Sequence, residues 1–277
     1  MSLRRTLALL CLAVSPVALT GCGGDTLSFD PVAKAATKTA QTESARVAFE
    51  ANMSIEGIGG ISFSGSGVFD GKSRSGALNM RFNMPQAAQT ELGANPTMNM
   101  IVDGGDGLVL YMRSPMFDKQ LPAGSWVKMD LEKLAKKQGI DMSQLMNANQ
   151  ADPSQTLGML RASKDAHVMN YDRVHGVLTT HYMLNLDLKR LAKENTTMSK
   201  SIEQLMDMTD AESFPAEAWI DDKGNVRKLK IDMSMSAPTG GELKMTMTEE
   251  LYDFGVNVTI QPPPASQVVD MSALLGG

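Results

Sequence analysis

Apolar side chains recur at every second position through most of this sequence, and this spacing constrains the fold more than any other feature. From Ala45 to Ile55 every odd position is apolar, and the same pattern recurs at 78–84, 98–102, 229–235 and 243–247. A period of two places alternate side chains on opposite faces of a β-strand and predicts strands that are buried on one face. Short turn segments such as Asp70-Gly71-Lys72, and others at 103–107 and 221–225, predict an antiparallel meander.

Helical patterns interrupt the meander at its beginning and in the middle. Asp30-Pro31 is typical of a helix start and predicts a helix over 31–43. Short helices are predicted at 131–137, 141–147, 154–162 and 193–210. Further strands are predicted at 126–130, 166–171, 176–188 and 226–235, and a last strand at 254–260, where the prolines at 262–264 end the sheet. The sequence therefore predicts an α+β protein.

The N-terminus has the pattern of an export signal. Arg4 and Arg5 precede an apolar run at 6–19, which is shorter than the roughly 20 residues that span a bilayer. The ending Leu19-Thr20-Gly21-Cys22 resembles a bacterial lipobox, which implies acylation of Cys22. The alternative is an ordinary secretory signal followed by a chance cysteine. We expect three parts, namely a signal peptide at 1–21, an acylated cysteine and flexible tether at 22–30, and a single domain at 31–277.

Charge and cysteine content narrow the possible partners. Loss of residues 1–21 removes two arginines and changes the net charge from −5 to −7. An acidic chain of this kind argues against nucleic acid as a partner. Cys22 would be the only cysteine left, so no internal disulfide could form, and stability would depend on a large core.

Residue patterns for catalysis and for cofactors are missing from the sequence. It contains no Gly-x-Ser-x-Gly motif and no free cysteine after Cys22. The pairs Asp221-Asp222 and Glu249-Glu250 lie at a turn or on opposite faces of a strand, so neither could act jointly on one bond. His167, His175 and His181 lack a metal-ligand spacing and are expected on the solvated surface. We therefore predict no catalytic residue, no metal, no cofactor and no enzymatic activity.

Methionine is the compositional outlier, with 22 residues. Met-x-Met occurs at 98/100, 206/208, 233/235 and 245/247, and in a strand each such pair shares one face. Thioethers bind Cu(I), but the scarcity of histidine and cysteine argues against a copper site. Two interpretations remain open: an adaptable apolar lining for a variable ligand, or simple core filling where aromatic residues are few.

Three segments resemble the actinobacterial LppX/LprAFG lipoproteins. They are Lys-Thr-Ala-Gln-Thr-Glu-Ser-Ala-Arg-Val at 38–47, Pro-Ala-Glu-Ala-Trp-Ile-Asp-Asp-Lys-Gly-Asn-Val-Arg-Lys-Leu at 215–229, and Leu-Tyr-Asp-Phe-Gly-Val-Asn-Val-Thr-Ile-Gln-Pro-Pro at 251–263. The order of elements is similar over most of the chain after Cys22. The resemblance implies a LolA/LolB-like fold, that is, one large curved antiparallel sheet forming a half-barrel, with helices packed on its concave face around an apolar cavity.

The resemblance implies that this protein binds an acyl-chain lipid or lipoglycan and shuttles it. It also implies that the protein is anchored on the extracytoplasmic face of the cell membrane. Membrane lipid would then be both anchor and ligand, and an envelope protein partner is not identified. The alternative is a structural or protein-interaction lipoprotein with a filled core. The residues expected to line the cavity are Phe49, Met53, Phe63, Met80, Phe82, Met98, Met100, Leu110, Leu145, Leu184, Ile231, Met233, Met245 and Met247.

Overall fold

Twelve β-strands in one sheet dominate the computed structural model. It describes residues 30–42, 44–55, 59–85, 89, 96–105, 107–131, 133, 157–194, 199–209, 211–236 and 241–271. The strands are β1 Ser44–Ile55, β2 Gly59–Asp70, β3 Ser75–Asn83, β4 Thr97–Asp103, β5 Val109–Arg113, β6 Trp126–Asp130, β7 Ser163–Val174, β8 Val177–Asp187, β9 Ser213–Asp221, β10 Val226–Ser236, β11 Glu242–Tyr252 and β12 Val268–Asp270.

Three α-helices have both ends within the described part of the chain: α1 Pro31–Thr39, α2 Leu188–Glu194 and α3 Ser199–Thr209. The start of α1 confirms the expected cap, because the Asp30 carboxylate accepts a hydrogen bond of 2.8 Å from the amide of Val32. The helix ends four residues earlier than predicted. Of the helix predicted at 154–162, the structure describes residues 157–162, and these are helical. The helix predicted at 141–147 lies outside the described residues.

The strand order is β12-β6-β5-β4-β3-β2-β1-β11-β10-β9-β8-β7, so the sheet is open and ends at β12 and β7. Every neighbouring pair is antiparallel except β12 with β6, which is parallel. The sheet is therefore mixed, and the prediction of a wholly antiparallel sheet is wrong at this edge. An open sheet of this size fits the expected curved architecture.

The C-terminal end of the chain differs from its prediction. Residues 256–264 form no strand, whereas a strand was predicted at 254–260. Asp253 and Gly255 have positive φ angles of 49° and 76°, so the chain turns out of the ladder at the start of the predicted strand. The Pro262–Pro264 run that follows lacks the amide hydrogens that a strand ladder needs. The run does not end the sheet either, because the chain continues past it and pairs Val268 and Val269 with Trp126 and Val127.

One face of the sheet forms the core. Paired residues in an antiparallel ladder share a face, and the pairs Leu184–Ala216 and Ala216–Ile231 place these side chains together. Val32, Ala35 and Ala36 of α1 belong to the same buried cluster, and α1 contacts β9 and β10 while α2 contacts β8 and α3 contacts β10. We call this the apolar face, and the opposite one the polar face. The helices thus pack on the apolar face, toward the β7 side of the sheet.

Candidate functional site

The register brings thirteen of the fourteen predicted lining residues to the apolar face. Across the sheet, Met233 pairs with Met245, Met245 with Met53, and Met53 with Ile61. The next row runs from Ile231 through Met247 and Ala51 to Phe63 and Phe82. Leu145 lies outside the described residues. A shared face follows from the period of two, but contact of these residues with a ligand stays a prediction.

Packing divides the predicted lining into two groups. Leu184 and Ile231 are only 1% and 2% exposed and belong to the buried core. The partly buried members that pack against this core are Phe49, Met100, Leu110, Met233 and Met247. Over this part of the sheet, the apolar face is filled by packed side chains. These seven positions therefore stabilise the fold, whatever else they do.

The second group is a strip that runs across β11, β1, β2, β3 and β4. Its six residues are half-buried and do not belong to the core cluster; they are Met53, Phe63, Met80, Phe82, Met98 and Met245. The Phe63 ring lies 6.2 Å from the ring of Phe49 and 6.3 Å from that of Phe82, measured between centroids. Ile61, at the margin of the strip, is 45% exposed. We call these six residues the apolar strip.

Gly65 of β2 shapes this strip, although it is not among the residues predicted from the sequence. It stands between Phe49 of β1 and Met80 of β3. A Cβ atom at Gly65 would lie 2.4 Å from Cζ of Phe49 and 2.7 Å from the backbone oxygen of Asn79. The missing side chain therefore lets the Phe49 ring lie across β2. Gly-x-Gly at 65/67 inside an alternating strand is the signal that indicates such a close approach.

A depression of about 500 Å³ lies on the other side of the same strands. Six of its nine lining residues alternate with the strip and so belong to the polar face: Ser64, Ser66, Asn79, Arg81, Thr97 and Asn99. The remaining three, Gly65, Met80 and Met98, direct their side-chain positions to the apolar face. This depression is thus polar, and it is separate from the apolar lining that the sequence predicts.

One histidine of the polar face, His181, is more enclosed than expected. The side chain of His181 is only 12% exposed; it stacks on Trp219 at 4.1 Å and its Nε2 lies 2.8 Å from a carboxylate oxygen of Glu217. The prediction of a solvated surface residue is wrong for His181, because the broad indole ring covers the imidazole. His175 lies in the β7–β8 turn, as predicted, and its Nε2 is 2.9 Å from Glu250. Within the described ranges, no group of three or more His, Cys, Asp or Glu residues could hold a metal ion.

The buried carboxylate of Asp221 is satisfied by its own turn. Burial raises the pKa of Asp221, but hydrogen bonds from the Asn225 backbone amide at 2.8 Å and from Arg227 Nε at 2.8 Å outweigh it and lower the pKa overall. The guanidinium of Arg227 also lies over the Phe254 ring, at 4.6 Å from its centroid. This arrangement fixes a charged pair and stabilises the β9–β10 turn.

Among the described residues, no helix is long and apolar enough to cross a bilayer. Cys22, the predicted lipidation site, lies outside the described residues. Its acylation is therefore a prediction from the sequence alone.

Comparison with known proteins gives matches among solved structures. No protein-family model matches the chain, and no curated protein matches it. LprF from Mycobacterium bovis has 14% identity and a TM-score of 0.49, over 85% of this chain and 96% of LprF. Lipoprotein LppX from Mycobacterium tuberculosis has 12% identity and a TM-score of 0.46, over 84% of this chain and all of LppX. A LolA superfamily protein from Nitrosomonas europaea has 8% identity and a TM-score of 0.28, over 85% of this chain and 94% of that protein. The chain is thus similar in structure to LprF and to lipoprotein LppX, whose names are those of the family that three of its segments resemble.

Proposed function

We propose that this protein binds an acyl-chain lipid on the apolar strip of β1–β4 and β11. One observation carries the proposal: the apolar face continues beyond the helix-covered core into six large side chains that remain half-buried. A protein that needed these residues only for its core would gain more stability by covering them, since each buried methylene contributes about 0.8 kcal/mol. A hydrocarbon chain laid on the strip would supply that cover.

The chemistry of the strip suits acyl chains of variable shape. Met53, Met80, Met98 and Met245 carry flexible, polarizable side chains, which adapt to an apolar partner better than branched residues do. Phe63 and Phe82 provide broad, rigid surfaces between them. The binding would be non-catalytic, with the helices on the concave face of the sheet and the strip as the open part of that face.

The same proposal includes the membrane anchor. Residues 1–21 would be removed as a signal peptide, Cys22 acylated, and the domain 31–277 held at the extracytoplasmic face of the cell membrane by the tether 22–30. Membrane lipid would then be the nearest ligand, and shuttling would be movement of that lipid to another envelope component. Cys22→Ser should release the protein from the membrane fraction. Unchanged tight association of the variant would contradict the anchor.

Lipid binding is tested on purified protein comprising residues 22–277 with Cys22→Ser, which keeps every described residue. Native mass spectrometry and organic extraction should recover acyl-chain lipid from it. The double variant Phe63→Ser/Met245→Ser should lose that lipid, because both side chains belong to the apolar strip. The matched control Val168→Ser/Leu178→Ser removes two exposed apolar side chains from β7 and β8 and should retain it. Lipid retained by a folded strip variant would contradict the proposal.

One observation favours the alternative, a structural or protein-interaction lipoprotein. Leu184 and Ile231, both predicted to line a cavity, are fully enclosed in the core instead. If that filling extends over the whole apolar face, no ligand is needed. Reproducible absence of lipid from the parent protein would refute the carrier function and favour this alternative.

A further inference from the structure

Exposed apolar side chains are concentrated on one hairpin at the edge of the sheet. Within the described part of the chain, six large apolar residues are exposed, and five of them belong to β7 and β8. These five are Val168, Met169, Tyr171, Leu178 and Met183. Tyr171 is the most exposed, at 71%. Apolar exposure concentrated at one place marks an interaction surface, whereas single exposed apolar residues are ordinary.

The exposed residues lie on both sides of this edge hairpin. Val168 pairs with Tyr182, and Tyr171 with Thr180, so both lie on the apolar face together with Leu178. Met183 pairs with His167 and belongs to the polar face. A flat protein partner would cover one face of the hairpin. A medium that surrounds the edge would cover both faces, and a lipid surface is such a medium.

The hairpin is held to the sheet without help from these side chains. On the polar face, His181 is hydrogen-bonded to Glu217 and stacked on Trp219. At the turn, His175 is hydrogen-bonded to Glu250, and its ring stacks on the Tyr252 ring with 4.0 Å between the centroids. The β8–β9 ladder continues from Thr179 to Asp187. The exposed apolar residues are thus free for a partner, since their loss would leave these contacts intact.

The distance along the chain from Cys22 to β7 indicates which partner that is. The described chain begins at Asp30, and the hydroxyl of Ser163, the first residue of β7, donates a hydrogen bond to the Asp30 carboxylate. Eight residues separate Asp30 from Cys22, so the cysteine can lie at most about 29 Å away at 3.6 Å per residue. Along β7, Tyr171 lies eight residues from Ser163, which is about 26 Å at 3.3 Å per residue. A membrane that holds Cys22 is therefore within reach of the exposed side chains.

We propose that the β7–β8 hairpin docks on the lipid surface, with Val168, Tyr171 and Leu178 of its apolar face and Met183 of its polar face inserted among the headgroups. The choice of a membrane as partner rests on the anchor at Cys22 that is part of the proposed function. Tyrosine suits this boundary because its ring is apolar and its hydroxyl group remains in water. Between Ala166 and Leu178 the formal charges of Asp172 and Arg173 cancel, so docking depends on apolar burial and responds little to salt.

The test reproduces the anchor chemically. Residues 22–277 contain Cys22 as their only cysteine, so the protein can be coupled there to a maleimide lipid in phosphatidylcholine vesicles. Tryptophan is introduced singly by Tyr171→Trp, Ile61→Trp and Ser64→Trp, and quenching by brominated phosphatidylcholine is measured against the parent protein. Trp126 and Trp219 are buried in all of them and are subtracted as background. Position 64 on the polar face of β2 is the matched control.

We expect loss of fluorescence at position 171 and none at position 64. Position 61 borders the apolar strip, so quenching there reports lipid bound on the strip, independently of docking. An unquenched tryptophan at position 171 in coupled protein would overturn the docking proposal and leave the anchor and the strip untouched. A dimer in sedimentation velocity that Val168→Ser/Leu178→Ser abolishes would also overturn it, in favour of a second copy as partner. Mass spectrometry of Cys22 from cells tests the natural anchor separately.

Discussion

Replacement of an apolar-face residue by alanine should lower the free energy of unfolding by very different amounts, depending on whether the residue lies in the buried core or in the apolar strip. Ile231→Ala and Met245→Ala make the sharpest comparison, because the two residues lie on adjacent strands and share the apolar face. Ile231 is 2% exposed within the helix-covered core, whereas Met245 is half-buried in the apolar strip. The β-branched Ile231 also loses more strand propensity than Met245 on substitution with alanine, but that whole scale spans only about 1 kcal/mol, so burial decides most of the difference.

The magnitudes follow from the atoms removed. Ile231→Ala leaves a cavity that the packed surroundings cannot fill, at a cost of about 3 kcal/mol within the usual 2–5 for such truncations. Met245→Ala removes three heavy atoms that are half in contact with solvent and opens no closed cavity, so it should cost about 1 kcal/mol at 0.8 per fully buried methylene. A domain of this size loses about 2–4 °C in Tm per kcal/mol, which gives drops of about 6–12 °C and 2–4 °C.

Urea and thermal unfolding of delipidated protein measure both costs, and circular dichroism confirms that each variant is folded. Delipidation matters because a bound lipid would stabilise the parent protein and inflate the effect of Met245→Ala. Equal losses for the two variants would refute the reasoning. They would mean that the strip is part of the core and that no apolar surface remains for a ligand.

Three further substitutions test the framework of the sheet. Asp221→Ala leaves the guanidinium of Arg227 without its buried partner and should lower the free energy of unfolding by about 3 kcal/mol at pH 7. Because the pKa of Asp221 is lowered in the folded state, this stabilisation is complete above the unfolded pKa of about 3.9 and disappears as the pH falls through the folded-state pKa. Urea unfolding of the parent protein and the variant at several pH values measures it. Asp187→Ala removes the hydrogen-bond acceptor at the start of α2 and should cost about 1 kcal/mol in urea unfolding, and no change would contradict a capping role. Gly67→Ala would place a Cβ atom 2.1 Å from the backbone oxygen of Ala77 and should cost about 2–3 kcal/mol by overpacking; an unchanged Tm would show that β2 and β3 separate easily.

The alternation of apolar residues was enough to predict most strands, because the period of two is a local property. The strand predicted at 226–235 is β10 at Val226–Ser236, and the one predicted at 176–188 is β8 at Val177–Asp187. The shared face of the Met-x-Met pairs at 233/235 and 245/247 follows from the same geometry. These predictions needed no knowledge of which strands are neighbours.

Contacts between distant segments could not be predicted in this way. The parallel pairing of Val268–Asp270 with β6 involves three residues that are more than 130 positions from their partners, and nothing local specifies it. The enclosure of His181 depends on Trp219, which lies on a neighbouring strand at a position set by the ladder register. Local periodicity gives the face of a residue, but its neighbours depend on strand order.

Coverage of the apolar face is the property on which the candidate site depends, and α1 contributes to it through polar contacts at its two ends. Asp30 is bonded to Ser163 at the start of β7, and the Thr39 hydroxyl accepts a hydrogen bond of 2.8 Å from the amide of Val226. These contacts hold the helix over β9 and β10. Because both are hydrogen bonds at the ends of the helix, the apolar pattern of the strands contains no trace of them. At β10, the burial of Ile231 therefore depends on helix placement, which is why a period of two alone could not distinguish the buried Ile231 from the half-buried Met245.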